Sequence, residues 1–254
     1  MCETCGFPSS KHGLALRRRD VLAFGLGAAA LAAAPAFLAP AFVTSAWAKE
    51  PGPPPKPQNV VSPAEALARL KAGNQRYVDG VAKRHDFVAE REALVGGQNP
   101  FAGILSCADS RVAPEYAFDT SRGDLFVVRV AGNFVNTDNL ASFEYAVAVL
   151  KTPLILVLGH ESCGAVKAAI EAVKDKATFP GHIQDLTTSL APAVTAVLDR
   201  PGDLLENATQ ENVRRNVEAL KAATPVLSAA VAEQRLAVAG GIYRLATGEV
   251  EIIA

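Results

Sequence analysis

Aromatic residues are scarce in this 254-residue chain, with one Trp, four Tyr and 6% aromatics overall. So few rings build no stacking platform for single-stranded nucleic acid. The formal net charge of -1, from 25 basic and 26 acidic residues, leaves no basic footprint for a duplex. Only four Cys occur, two of them at positions 2 and 5. Glycine and proline, 19 and 16 residues, are not in excess, which excludes collagenous and low-complexity classes. What remains is half hydrophobic. A chain of this length suits one large domain or two small ones and can bury a sizeable core.

The first 48 residues have the order of an export signal. Arg17, Arg18 and Arg19 precede a long Ala/Leu/Phe/Gly run that ends in Ala46-Trp47-Ala48, an A-x-A cleavage pattern. Arg18-Arg19 with Val21-Leu22 resembles the twin-arginine signal, whose machinery carries folded proteins, so the expected destination is the periplasm. The alternative is a permanent membrane anchor facing the periplasm, since the run is nearly long enough to span a bilayer. Pro35, Pro40 and the cleavage tripeptide favour removal. Taking away the signal's four Lys/Arg and two Asp/Glu leaves 21 basic against 24 acidic residues, a charge of -3. It also removes the Cys2/Cys5 pair, whose C-x-x-C spacing has no nearby partners to complete four ligands. Residues 49–58, KEPGPPPKPQ, read as a Pro-rich linker, and 59–254 as the domain.

Ser62-Pro63 with Glu65 three residues on predicts a helix start running towards Tyr77. Phe101–Leu105, Leu125–Val130 and Leu154–Leu158 are short apolar runs that suit strands buried on both faces. Helical spacing recurs over Asn139–Leu150, from about Ser162 through Val173, and over most of Ile183–Gln234, with Pro225 at a helix start. The tail from Leu236, with Thr247-Gly248 before Val250–Ile253, reads as strand and hairpin. Strands alternating with helices predict an α/β fold, a mostly parallel central sheet flanked by helices.

Two clusters fall just past the carboxyl ends of predicted buried strands: Cys107-Ala-Asp109-Ser-Arg111 and His160-Glu-Ser-Cys163. That edge is where open α/β sheets bind ligands. Cys107, His160 and Cys163 offer three zinc ligands, with Asp109 or water as the fourth. Cys163 falls at a helix N-terminus, which favours its thiolate. Singly, each residue has a plainer reading: a hydrogen-bonded structural His, or two Cys forming a disulfide or sitting inert in the core. Together, with Asp109 and Arg111 beside the first Cys, they favour a metal site.

These motifs resemble the β-carbonic anhydrase family over about residues 60 to 254. C-x-D-S-R matches Cys107 to Arg111, and G-H-x-x-C-G matches Gly159 to Gly164. Gly97-Gln98, Phe126-Val-Val-Arg129, Glu144-Tyr145 and the Gly241–Gly248 tail agree as well. The resemblance implies zinc on Cys107, His160 and Cys163 and a regulatory dyad of Asp109 and Arg111, with Asp109 as an exchangeable fourth ligand. It places Gln98, Phe126, Ala131 and Tyr145 in the substrate pocket, and implies at least a homodimer with helices near 62–80 on a neighbour. The implied reaction is reversible hydration of carbon dioxide to bicarbonate and a proton, with zinc-bound hydroxide as nucleophile. Two departures stand out. Val130 replaces a common Asn, and Ile104 stands where the subset with a non-catalytic bicarbonate site usually carries Trp. The latter speaks against inhibition through such a site.

Three other readings remain at this level: a carbon disulfide or carbonyl sulfide hydrolase on the same scaffold, a zinc protein without turnover, and a disulfide-linked binding module. Arg111, two residues from Asp109, argues against a permanently closed four-ligand site.

Overall fold

The computed structural model describes residues 61–254. The export signal, the Cys2/Cys5 pair and the linker at 49–58 lie outside the described residues.

Ser62 caps α1 (Pro63–Val78): its hydroxyl accepts the Glu65 N–H at 3.2 Å, with Pro at the first helical position. Glu65 itself pairs with Arg69, one turn on, at 2.6 Å. A second helix that the sequence reading missed, α2 (Phe87–Leu94), is capped by Asp86 and buries none of its residues, so it carries no apolar stripe to read. Strand β1 (Ala102–Ser106) leads through a short α3 (Pro114–Ala117) to β2 (Leu125–Arg129). Helix α4 (Thr137–Ala148) then connects to β3 (Leu154–His160). Four helices follow: α5 (Gly164–Lys174), α6 (Ile183–Thr195), α7 (Leu204–Ala222) and α8 (Val226–Ala232). The chain ends in β4 (Ala237–Tyr243) and β5 (Val250–Ile252).

The sheet order is β2-β1-β3-β4-β5, parallel except for β5, which closes an antiparallel hairpin on β4. Strand β3 is buried throughout because both its faces are covered. Leu154, Leu156 and Leu158 join Leu70, Ile104 and Phe118 beneath α1. Ile155 and Val157 point the other way, to Phe143, Val213, Val217 and Leu227 of α4, α7 and α8. The expectation that all three early strands are buried on both faces fails for β2. It is the sheet edge, half-buried over Leu125–Val128 and exposed at Arg129, because only β1 pairs with it. A third cluster packs α5, α6 and α7 around Cys107 and Cys163. No helix among the described residues is long and apolar enough to cross a membrane.

Buried Asn74 ties α1 to the rest. Its amide donates to the carbonyls of Ala117 and Gly248, and its oxygen accepts the Val250 N–H, all at 2.8–2.9 Å. One polar side chain thus satisfies three backbone groups that packing would otherwise strand.

Candidate metal centre

Register explains why two clusters so far apart in sequence converge. Ser106 pairs with Leu158 across the parallel β1–β3 ladder, so Cys107 and His160 leave the sheet at the same carboxyl edge. Between His160 and Cys163 the chain turns sharply: Ser162 adopts the left-handed conformation (φ 56°), and Cys163 becomes the N-cap of α5. The donor atoms of Cys107, His160 and Cys163 all lie within 4.8 Å of one another, and all three residues are buried. The sulfurs are 4.0 Å apart and both thiols are free, so there is no disulfide.

The electrostatics of the cluster suit a cation. His160 is fully buried; its Nδ1 faces the Glu161 carbonyl at 2.9 Å, while Nε2 has no hydrogen-bond partner. Such an orphan costs about 1–3 kcal/mol unless something binds it. Burial alone would push His160 down, but the neighbouring Cys107 sulfur, the Glu161 carbonyl and Asp109 leave it raised. Cys107 is pulled well below the usual thiol range. The hydrogen bond from Cys163 is the largest cause, burial opposes it, and His160 and the backbone N–H of Gly132 and Asp109 assist. The Gly132 N–H lies 3.3 Å from the Cys107 sulfur. Cys163 is pushed up, because the hydrogen bond to Cys107 and burial hold its proton against the N–H groups of Val166 and Ala165. Cys107 and Cys163 would both hold a divalent cation as thiolates, the shared proton being released on binding. Two thiolates and one imidazole nitrogen, with the Asp109 carboxylate nearby as a possible fourth ligand, are a donor set for zinc, so the residues present fit that ion.

Asp109 does not face the cluster squarely. Arg111 holds it in a bidentate pair, Nε to Oδ1 at 2.9 Å and an Nη to Oδ2 at 2.7 Å, and the Arg111 N–H adds a third bond at 2.9 Å. Its Oδ2 stands 3.9 Å from His160 Nε2. The Arg111 hydrogen bond is the main reason its carboxyl sits far below the usual carboxylate range.

The four residues expected to line the pocket do not gather there within one chain. Ala131 does sit beside the cluster, next to Gly132. Phe126 pairs with Gly103, four residues before Cys107 and therefore about 13 Å back along the strand. There it meets Tyr145, ring centroids 6.5 Å apart, and Tyr145 is half exposed. Gln98 is exposed in the loop before β1.

One residue quoted in the sequence only as part of the matching Phe126–Arg129 stretch has a structural role that was not read there. Arg129, at the end of β2, donates to the carbonyls of Cys107 (2.9 Å), Asp109 (2.7 Å) and Val112 (2.8 Å), pinning the first cluster's loop. The available signal was a lone guanidinium closing an apolar strand at the sheet edge where ligands bind.

Fold and site together define a zinc enzyme with its metal on the carboxyl edge of a parallel sheet. A carbonic anhydrase family model matches residues 102–250, and the chain belongs to that family, in its β class. It is 42% identical over 190 residues to carbonic anhydrase 2 of Mycobacterium tuberculosis, covering 74% of this chain and 91% of that protein. The carbonic anhydrase of Mycolicibacterium smegmatis is 39% identical over 194 residues, covering 75% and 93%. Among solved structures, the β-carbonic anhydrase CcaA superposes with a TM-score of 0.59 at 31% identity, over 74% of this chain and 95% of that one. A tetrameric β-carbonic anhydrase from Sordaria macrospora gives 0.60 at 26%, over 75% and 95%.

Proposed function

We propose that the chain hydrates carbon dioxide reversibly to bicarbonate and a proton, with zinc held by Cys107, His160 Nε2 and Cys163. The observation that carries this reading is the buried, unpartnered His160 Nε2 facing two thiols within 4.8 Å. Bound there, zinc would supply a nucleophile by lowering the pKa of a water towards neutrality. The protein's own residues do the rest. Arg111 draws Asp109 aside and leaves the fourth position to solvent. Asp109 stays ionised, so it accepts a hydrogen bond from the attacking water and aims that oxygen at the substrate carbon. Arg129 fixes the carbonyls of the 107–112 loop, which sets the position of Asp109. The test is stopped-flow hydration with zinc content on parent and Cys163→Ala. The variant should lose metal and activity together, and full zinc retention would remove Cys163 from the ligand set.

Gln98, Phe126 and Tyr145 then need a second copy to serve as pocket residues. Support comes from the exposed apolar side chains at Phe87 (57%), Val88 (55%), Tyr145 (49%) and Val149 (57%), and from the half-covered edge strand β2. The Sordaria relative is tetrameric. The working form is therefore a homodimer or larger assembly in which an apolar wall beside the metal is completed by the partner. Carbon dioxide, small and apolar, calls for such a wall rather than for a charged clamp.

We also propose that Arg18 and Arg19 direct twin-arginine export to the periplasm with cleavage after Ala48. The physical reason is metal loading: thiolates assembled around zinc before export escape oxidation, and only folded transport preserves them.

A further inference from the structure

We infer that Glu161 is a positioning residue for the metal centre: its carboxylate, anchored to the β4–β5 hairpin, fixes the peptide whose carbonyl orients His160. The inference rests on reading Cys107, His160 and Cys163 as the zinc site.

Residue 161 lies between two of the three ligands, and each of its polar groups has a job. Its N–H donates to the Tyr243 carbonyl at 3.1 Å, extending the β3–β4 ladder one step past the strand. Its own carbonyl faces His160 Nδ1 at 2.9 Å. Its side-chain Oε1 accepts the Leu245 N–H at 2.6 Å and the Ala246 N–H at 3.3 Å. Arg244, already paired with Glu206 of α7 and Glu251 of β5, stands 4.0 Å from its other oxygen.

These contacts fix residue 161 through both flanking peptides: the 160–161 peptide by its N–H to Tyr243, and the 161–162 carbonyl that faces Nδ1 by the side-chain anchor to the hairpin. A proton kept on Nδ1 by a fixed carbonyl leaves Nε2 as the lone-pair nitrogen, which is the tautomer a cation needs. Residue 161 lies where the chain turns from β3 into α5, with Ser162 left-handed and Cys163 the N-cap. Slack at residue 161 would change both the tilt of the imidazole and its separation from the Cys163 sulfur. Glu161 touches neither the metal donors nor the open position, so it acts through His160 alone.

The experiment titrates the zinc-loaded full chain against a chromophoric chelator, comparing parent, Glu161→Ala and Glu161→Gln. The optical spectrum of the cobalt(II)-substituted proteins reports ligand geometry separately from activity. Glu161→Ala should bind one zinc about 10- to 100-fold more weakly, with altered cobalt bands. Glu161→Gln keeps an oxygen for the Leu245 N–H and should fall within about threefold of the parent, a neutral acceptor being weaker than a carboxylate. A merely structural contact would lower the melting temperature of the metal-free protein in step with zinc affinity. Positioning instead predicts weakened zinc with the metal-free melting temperature unchanged. Parental zinc affinity and parental cobalt bands in Glu161→Ala would overturn the inference and leave the zinc site standing. A parent that binds no zinc would overturn both. If Glu161→Ala does not fold, Glu161→Asp, one methylene short of Leu245, takes its place with the same two readouts.

Discussion

Asp109 and Arg111 stand two residues apart, and that offset lets one guanidinium bind the carboxylate through both nitrogens while its own N–H adds a third bond. The consequence is a carboxylate that stays ionised and is held by Arg111 with its Oδ2 3.9 Å from His160 Nε2. Replacing Arg111 by Ala should free Asp109, whose Oδ2 already stands 3.9 Å from His160 Nε2, to take the fourth position on the metal. Zinc content should remain at one per chain while hydration falls by on the order of 10²-fold, the usual loss when a positioned acid or base is removed. Stopped-flow rates with zinc analysis check this. Parental rates in Arg111→Ala would end the gating role while leaving the ligands in place. Asp109 was legible in sequence as a possible fourth ligand beside Cys107, and its pairing with Arg111 as what the family resemblance implies. Arg129 and Glu161 were not, since a guanidinium that binds carbonyls and a carboxylate that caps a turn have no diagnostic spacing.

Among elements, α1 is held by an unusually close approach. A Cβ on Gly73 would lie 1.9 Å from the Phe118 carbonyl oxygen, well inside any tolerable contact. Gly to Ala inside a helix ordinarily stabilises by about 1 kcal/mol. Here the clash is with backbone, which cannot step aside, so Gly73→Ala should destabilise by about 1–3 kcal/mol in urea unfolding. A stabilised Gly73→Ala would show that α1 has room to shift.

The same junction carries a pH dependence. Burial pushes the Asp119 carboxyl up, but hydrogen bonds from Arg76 of α1 and from the Lys83 N–H outweigh it, and the net shift is down. A carboxylate depressed in the folded state contributes stability above its ordinary value of 3.8, and loses it as pH falls through the folded value. Asp119→Asn should therefore cost about 1–3 kcal/mol at neutral pH by leaving charged and backbone donors poorly met. The gap from the parent should narrow below about pH 4. Melting curves across pH 7 to 3 read this directly, and a constant gap would remove Asp119 from the acid transition. Most elements could be read from apolar period and caps. Helix α2 could not, because it buries nothing within the chain, and neither could the edge position of β2, because strand order is a tertiary property.

At the scale of the whole molecule, assembly and export are the open tests. Tyr145→Arg places a charge on the half-exposed face that also holds Phe126. It should lower the solution mass towards that of one chain and reduce hydration with zinc retained. An unchanged mass would mean that the partner covers another face. Lys at both Arg18 and Arg19 should trap the uncleaved precursor inside the cell. Undiminished export would point to the general secretory route, and a mass still including residues 1–48 to an anchor.

The alternation of the main strands and helices, the clusters at the carboxyl ends of β1 and β3, and the candidate zinc ligands were legible in the sequence alone. Apolar period and residue chemistry are local properties, and they survive without a fold. The parallel register that sets Cys107 beside His160, the turn at Ser162, the grip of Arg111 on Asp109 and the placing of Phe126 with Tyr145 back along the sheet from Cys107 were decided only in the tertiary structure. Each depends on which backbone lies next to which, and that is set by packing over the whole sheet rather than by any residue's neighbours in the chain.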